Sequence, residues 1–192
     1  MKMLMIFGAT YGVQQDSVVK EHMGHSLVQL QHFFSNGYGV QVTLGNINSF
    51  FWLLLRDRLN TRNILKRKDM HLDDYNCVLC NLGCEETSFH LFFECPFSRD
   101  CCATIPVDGN LNLTPLDMVL QARADFNNAI FREIAITACW VIWNTRNDVV
   151  FDNGQINIHL WKRQFKEEFG LVCTKAKAAR QVKLSAWRDS YL

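Results

Sequence analysis

Four side chains with soft or borderline metal donors crowd into one short stretch of this sequence. Between Cys77 and Cys95 the chain reads CVLCNLGCEETSFHLFFEC, with two residues between Cys77 and Cys80, nine between Cys80 and His90, and four between His90 and Cys95. Tetrahedral zinc takes four such donors at about 2.0–2.3 Å, and two cysteines separated by two residues can turn both sulfurs toward one point. All four coordination positions are then filled by protein. The expectation is therefore one structural Zn2+ ion on Cys77, Cys80, His90 and Cys95, with no open position for catalysis. Cys84 stands as an alternative to Cys80, at the loss of the tight two-residue turn.

Other uses of these cysteines fit less well. A disulfide framework needs an oxidising compartment, and the opening MKMLMIFGA has too short an apolar region and no clear small-x-small cleavage site to read as an export signal. A thiol-redox C-x-x-C sits between a strand and a helix, and nothing before Asn76 reads as that strand. The longest later apolar run, Phe50 to Leu55, is too short to span a membrane. The expectation is an intracellular protein, nuclear or cytoplasmic, and not a secreted one.

The ligands need elements to hold them. The EETSFHLFF stretch reads as a short helix carrying His90, with Glu85 and Glu86 at its positive N-terminal end and Cys95 just beyond it, where Pro96 stops the helix. Upstream, Ile47, Phe50, Phe51, Leu54 and Leu55 recur at helical spacing, and Asn60 or Thr61 can cap a second helix running to Lys68. Downstream, Thr114-Pro115 is a helix start. Asn127 or Asn128 opens a long helix with Ile130, Ile134, Ala138, Val141 and Ile142 on one face, which makes Trp140 and Trp143 packing residues. That helix ends near Phe151 at the turn Asp152-Asn153-Gly154. A last helix then places Ile158, Trp161, Phe165, Phe169, Val172, Ala176 and Ala179 at spacings of three and four.

With 192 residues, 48% of them hydrophobic, and fourteen Phe and five Trp, the chain has enough apolar material for a real core and is not disordered. The fold class expected is mainly α, a zinc knuckle joined to short helices and a C-terminal helical bundle. Residues 1–45 form an unassigned leader whose His22, His25 and His32 have no ligand spacing and whose Val28–Phe34 stretch suits one short helix. Residues 46–105 form the helix pair and knuckle, and 106–192 the helical region, with the Asn-rich stretch from Pro106 to Thr114 as boundary.

The net charge of +1 does not discriminate among partners, so any basic surface has to come from local segregation. Arg56, Arg58, Arg62, Lys66 and Arg67 lie beside the knuckle with Asp57 as the one acid among them, and are the candidate phosphate contacts. The C-terminal helix has a second basic face. In both places a solvated helix face is the alternative.

Together, FFWLLLRDRLNTRNILKRKDM, DDYNCVLCNLGCEETSFHLFFECPFSR and ITACWVIWNTRNDVVFDN resemble the reverse transcriptase zinc-binding domain of plant LINE-type (non-LTR) retrotransposon polyproteins, over roughly residues 50 to 153. The resemblance implies the same four zinc ligands, and nucleic acid (RNA or DNA) and the reverse transcription machinery as partners. In that family the domain follows a polymerase and often precedes a ribonuclease H. Asp73-Asp74-Tyr75 has the wrong order for the metal-binding aspartates of a polymerase, and no ribonuclease H carboxylate set follows Trp143. The expectation is a non-catalytic fragment, and not an enzyme. A structural or protein-interaction module, or a retroelement remnant without function, is the alternative.

Overall fold

The structure is a computed structural model that describes residues 45–105, 110, 112–113 and 115–191. Among these residues it is mainly α-helical, with no strand beyond one isolated antiparallel bridge, Asn76 to Glu85. The expectations for His22, His25, His32 and the Val28–Phe34 helix lie outside the described residues, as does most of the Pro106 to Thr114 stretch.

Two short helices lead in. α1 (Gly45–Leu55) buries Ile47, Phe50, Phe51 and Leu54 of the stripe its spacing predicts, while the side chain of Leu55 lies outside what is described. It stops because Asp57 takes a left-handed conformation (φ 50°), which lets Arg58 N–H donate to Leu53 O at 2.9 Å and Asp57 N–H to Leu54 O at 3.0 Å. α2 (Arg62–Arg67) ends the same way on Asp69 (φ 55°). Aspartate tolerates this conformation better than most residues do, so the stop signals at both ends lack the usual glycine.

After the knuckle come α3 (Pro96–Cys102), α4 (Pro115–Phe126), α5 (Phe131–Phe151), α6 (Ile158–Lys175) and α7 (Ala178–Tyr191). α5 is the centre: α1, α3, α4 and α6 all pack against it. Ile134, Ala138, Val141 and Ile142 are buried there as expected, and Asn128 Oδ1 accepts the Ile130 N–H at 3.2 Å just before the first turn. Phe50 fixes α1 to the centre, with its ring 5.4 Å from that of Trp140, 6.1 Å from Trp143 and 6.0 Å from Phe92. Trp140 and Trp143 are thus packing residues. The described residues belong to one compact unit.

The C-terminal region departs from expectation. The periodic run from Ile158 to Ala179 is not one helix: it breaks at Ala176 (ψ 152°), and α7 packs back on α6. The cause is tertiary, since Ala, Lys and Arg around the break all favour helix. Leu184 and Trp187 are buried, and the Trp187 ring meets those of Phe169 at 5.0 Å and Phe165 at 6.5 Å, edge to face. Continuing the helix would have left these apolar side chains in water.

Candidate metal centre

The knuckle is a tight hairpin without regular strands. Cys77 N–H donates to Cys84 O at 2.8 Å and Glu86 N–H to Tyr75 O at 2.9 Å, and Gly83 (φ 65°) makes the return, in a left-handed conformation suited to glycine. Cys77 and Cys80 lie on the turn between, where backbone N–H groups of Leu79 and Leu82 point at their sulfurs.

The second pair comes from a helical turn that differs from the one the sequence suggests. The helix begins at Ser88, capped by Thr87, whose Oγ1 accepts the His90 N–H at 2.9 Å. From His90 to Glu94 it is a π-turn, closed by Cys95 N–H donating to His90 O at 2.7 Å. This widening matters. In an α-helix residues five apart point about 140° away from one another, whereas the i→i+5 turn brings them toward one face. His90 and Cys95 are five apart, and the π-turn lets both side chains face the knuckle.

The result is a compact donor set. The ligand atoms of Cys77, Cys80, His90 and Cys95 all lie within 4.8 Å of one another. Cys77 Sγ is 4.0 Å from Cys95 Sγ, and Cys80 Sγ is 3.4 Å from His90 Nε2. Four donors placed tetrahedrally around zinc would have sulfurs about 3.8 Å apart and sulfur about 3.5 Å from nitrogen. The spacing therefore fits a Cys3His zinc site. The other ring nitrogen, His90 Nδ1, lies 3.7 Å from Glu94 Oε2, so a carboxylate is at hand to orient the ring.

The electrostatics also call for a cation. Without one, the three sulfurs share too few positive neighbours for all to ionise. The Cys77 thiol, donating toward Cys95, holds Cys95 down to about 5, helped by the N–H groups of Ser98 and Phe97 at the start of α3. That same sharing and burial push Cys77 up, and burial raises Cys80. A divalent ion among them stabilises all three thiolates at once. Cys84 is apart from this set: it is exposed, with its Sγ turned to Leu82 O at 3.8 Å.

Glu86 precedes the helical turn that starts at Ser88, and it does more than the sequence indicates there. It is fully buried, and Arg146 of α5 donates to its carboxylate from Nη2 at 2.7 Å and from Nε at 3.1 and 3.2 Å to the two oxygens. The Arg62 N–H adds a fourth bond at 3.0 Å. Glu86 thus ties the knuckle to α2 and to the central helix. The residue types carry no signal for this, because the partner lies 60 positions away.

The basic stretch divides in two. Arg62 Nη1 donates to Asn76 O at 3.0 Å and lies 3.7 Å from Asp74, Lys66 pairs with Glu85 at 2.9 Å, and Arg67 lies 4.0 Å from Asp57. Arg56 and Arg58 have no acidic partner among the described residues. Arg56 instead lies over the Trp52 ring, 4.1 Å from its centroid.

A fold of this kind, short helices and a central helix gripping a Cys3His knuckle, is that of a zinc-binding module. Residues 31–101 match the family described as zinc-binding in reverse transcriptase. The match takes in the knuckle and all four donors; it begins inside the stretch for which the residues suggested no assignment and stops short of α5. No curated protein and no solved structure matches the chain. The family match and the donor geometry together support one zinc ion in this protein. No helix among the described residues is long and apolar enough to cross a membrane.

Proposed function

We propose that this chain is a non-catalytic, zinc-stabilised nucleic-acid-binding module derived from the reverse transcriptase polyprotein of a plant LINE-type retrotransposon, acting inside the cell beside the reverse transcription machinery. Zinc on Cys77, Cys80, His90 and Cys95 is structural in this reading. The observation that carries it is the closed Cys3His cluster inside a segment matching a reverse transcriptase accessory domain. Arg56, Arg58, Arg62, Lys66 and Arg67 present positive charge beside the knuckle, and their role is to contact backbone phosphates.

The test is binding of the zinc-loaded protein to RNA and DNA oligonucleotides as salt is raised. Phosphate contacts require log K to fall with log salt, by about 0.7 per contact on single strands and about 0.9 on duplex DNA. Binding absent at low salt would refute the reading. A second reading, a structural or protein-interaction module, is favoured by the acid and backbone partners already held by Arg62, Lys66 and Arg67; it requires no salt-sensitive nucleic-acid binding.

A further inference from the structure

α1 buries Ile47, Phe50, Phe51 and Leu54 and half-buries Leu53, but its largest side chain stands out. Trp52 leaves 38% of its surface in water, between Phe51 and Leu54, which are almost wholly buried. One helical turn later Arg56 lays its guanidinium over the indole, with Cζ 4.1 Å from the ring centroid. Arg56 Nε is shielded from solvent and has no hydrogen-bond partner among the described residues. Arg58 follows two residues on, and the intervening Asp57 is turned toward Arg67 by its left-handed backbone. Burial first and the neighbouring Arg58 second lower the Arg56 pKa.

We infer that Trp52, Arg56 and Arg58 form a site for single-stranded nucleic acid, in which an unpaired base stacks on the Trp52–Arg56 pair and an adjoining phosphate is held by Arg56 and Arg58. The inference rests on the nucleic-acid reading above and narrows it from five cations to two, adding an aromatic. The flat guanidinium offers a face to a base, and two neighbouring cations without an acidic partner among the described residues offer their charge to an anion. Duplex fits poorly, because its bases keep their faces stacked inside and unavailable to a surface indole.

The experiment measures fluorescence anisotropy of a labelled 20-nucleotide single-stranded RNA, and of the same sequence as a duplex, against the zinc-loaded full chain. The variants are Trp52→Ala, Trp52→Phe, Arg58→Ala and, as control on α6, Arg163→Ala. Zinc content and helicity of each variant establish that it is folded. Trp52→Ala is expected to weaken single-strand binding by roughly 5- to 100-fold, with Trp52→Phe restoring most of it and Arg163→Ala binding as wild type. Arg58→Ala is expected to reduce the salt slope by about 0.7. A wild-type chain that binds RNA while Trp52→Ala binds equally well overturns the site and leaves the nucleic-acid reading standing. Equal or tighter binding of the duplex also overturns it. A wild-type chain that binds neither probe at low salt overturns both.

Discussion

Replacing Arg146 by methionine removes the guanidinium and keeps much of its length. Glu86 would then hold its charge in a fully buried position with only the Arg62 N–H as donor, having lost three bonds of 2.7 to 3.2 Å. Leaving one member of a buried ion pair uncompensated costs about 3–5 kcal/mol, whereas an exposed pair contributes about 0–1 kcal/mol. Against a typical stability of about 5–15 kcal/mol this is a large fraction. For a chain of this size it corresponds to a Tm lowered by roughly 6–20 °C. Urea unfolding of the zinc-saturated protein, followed by far-UV circular dichroism, gives the difference directly. Lys66→Met, which breaks the exposed pair with Glu85, is the comparison and should cost about 1 kcal/mol or less. The double variant Glu86→Gln/Arg146→Met should recover part of the loss, because the buried charge is gone. Arg146→Met within 1 kcal/mol of wild type, or a double variant less stable than the single, would refute the assignment of Glu86–Arg146 as the tie between knuckle and central helix.

Three further outcomes are expected. Of the eight cysteines only Cys84 is exposed, so iodoacetamide at neutral pH should label it first in the zinc-loaded protein, as read by peptide mass. Cys102, pushed up to about 11 by burial, has almost no thiolate at neutral pH and should stay unlabelled until unfolding; labelling of Cys80 before Cys84 would contradict the geometry. Gly154→Ala places a methyl 2.8 Å from Asp148 Cβ and 2.9 Å from its carbonyl carbon, so the end of α5 must shift, at about 1–3 kcal/mol; an unchanged thermal midpoint would count against this. Thr87→Ala removes the cap on the turn that carries His90 and should cost about 0.5–2 kcal/mol, with zinc still bound when measured by metal analysis at saturation.

Much of the site was legible because its information is local. Two cysteines on one turn, with a histidine and a cysteine on the next element, identify a donor set by spacing alone, and the structure brings those four together and leaves Cys84 outside. The wide apolar stripe of α5 and the Asp152-Asn153-Gly154 stop were equally local. What escaped depends on distant partners. Glu86 resembles an ordinary acidic residue at a helix start until Arg146 arrives from 60 positions away. The break at Ala176 has no glycine or proline to mark it, and is set by where Trp187 and Leu184 find Phe165 and Phe169. The π-turn was hidden because HLFFE has no feature unfavourable to an α-helix; it follows from the need to turn His90 and Cys95 to one side. Trp52 belongs to an apolar run, and only burial of its neighbours sets it apart.

The zinc content of the purified chain tests the central claim most directly. Wild type, Cys77→Ser and His90→Ala are compared by elemental analysis, with helicity followed as a chelator is added. One zinc per chain in wild type is expected, lost in both variants, with chelation unfolding the knuckle and loosening the helices tied to it through Glu86. A folded wild-type chain that holds no zinc would contradict it.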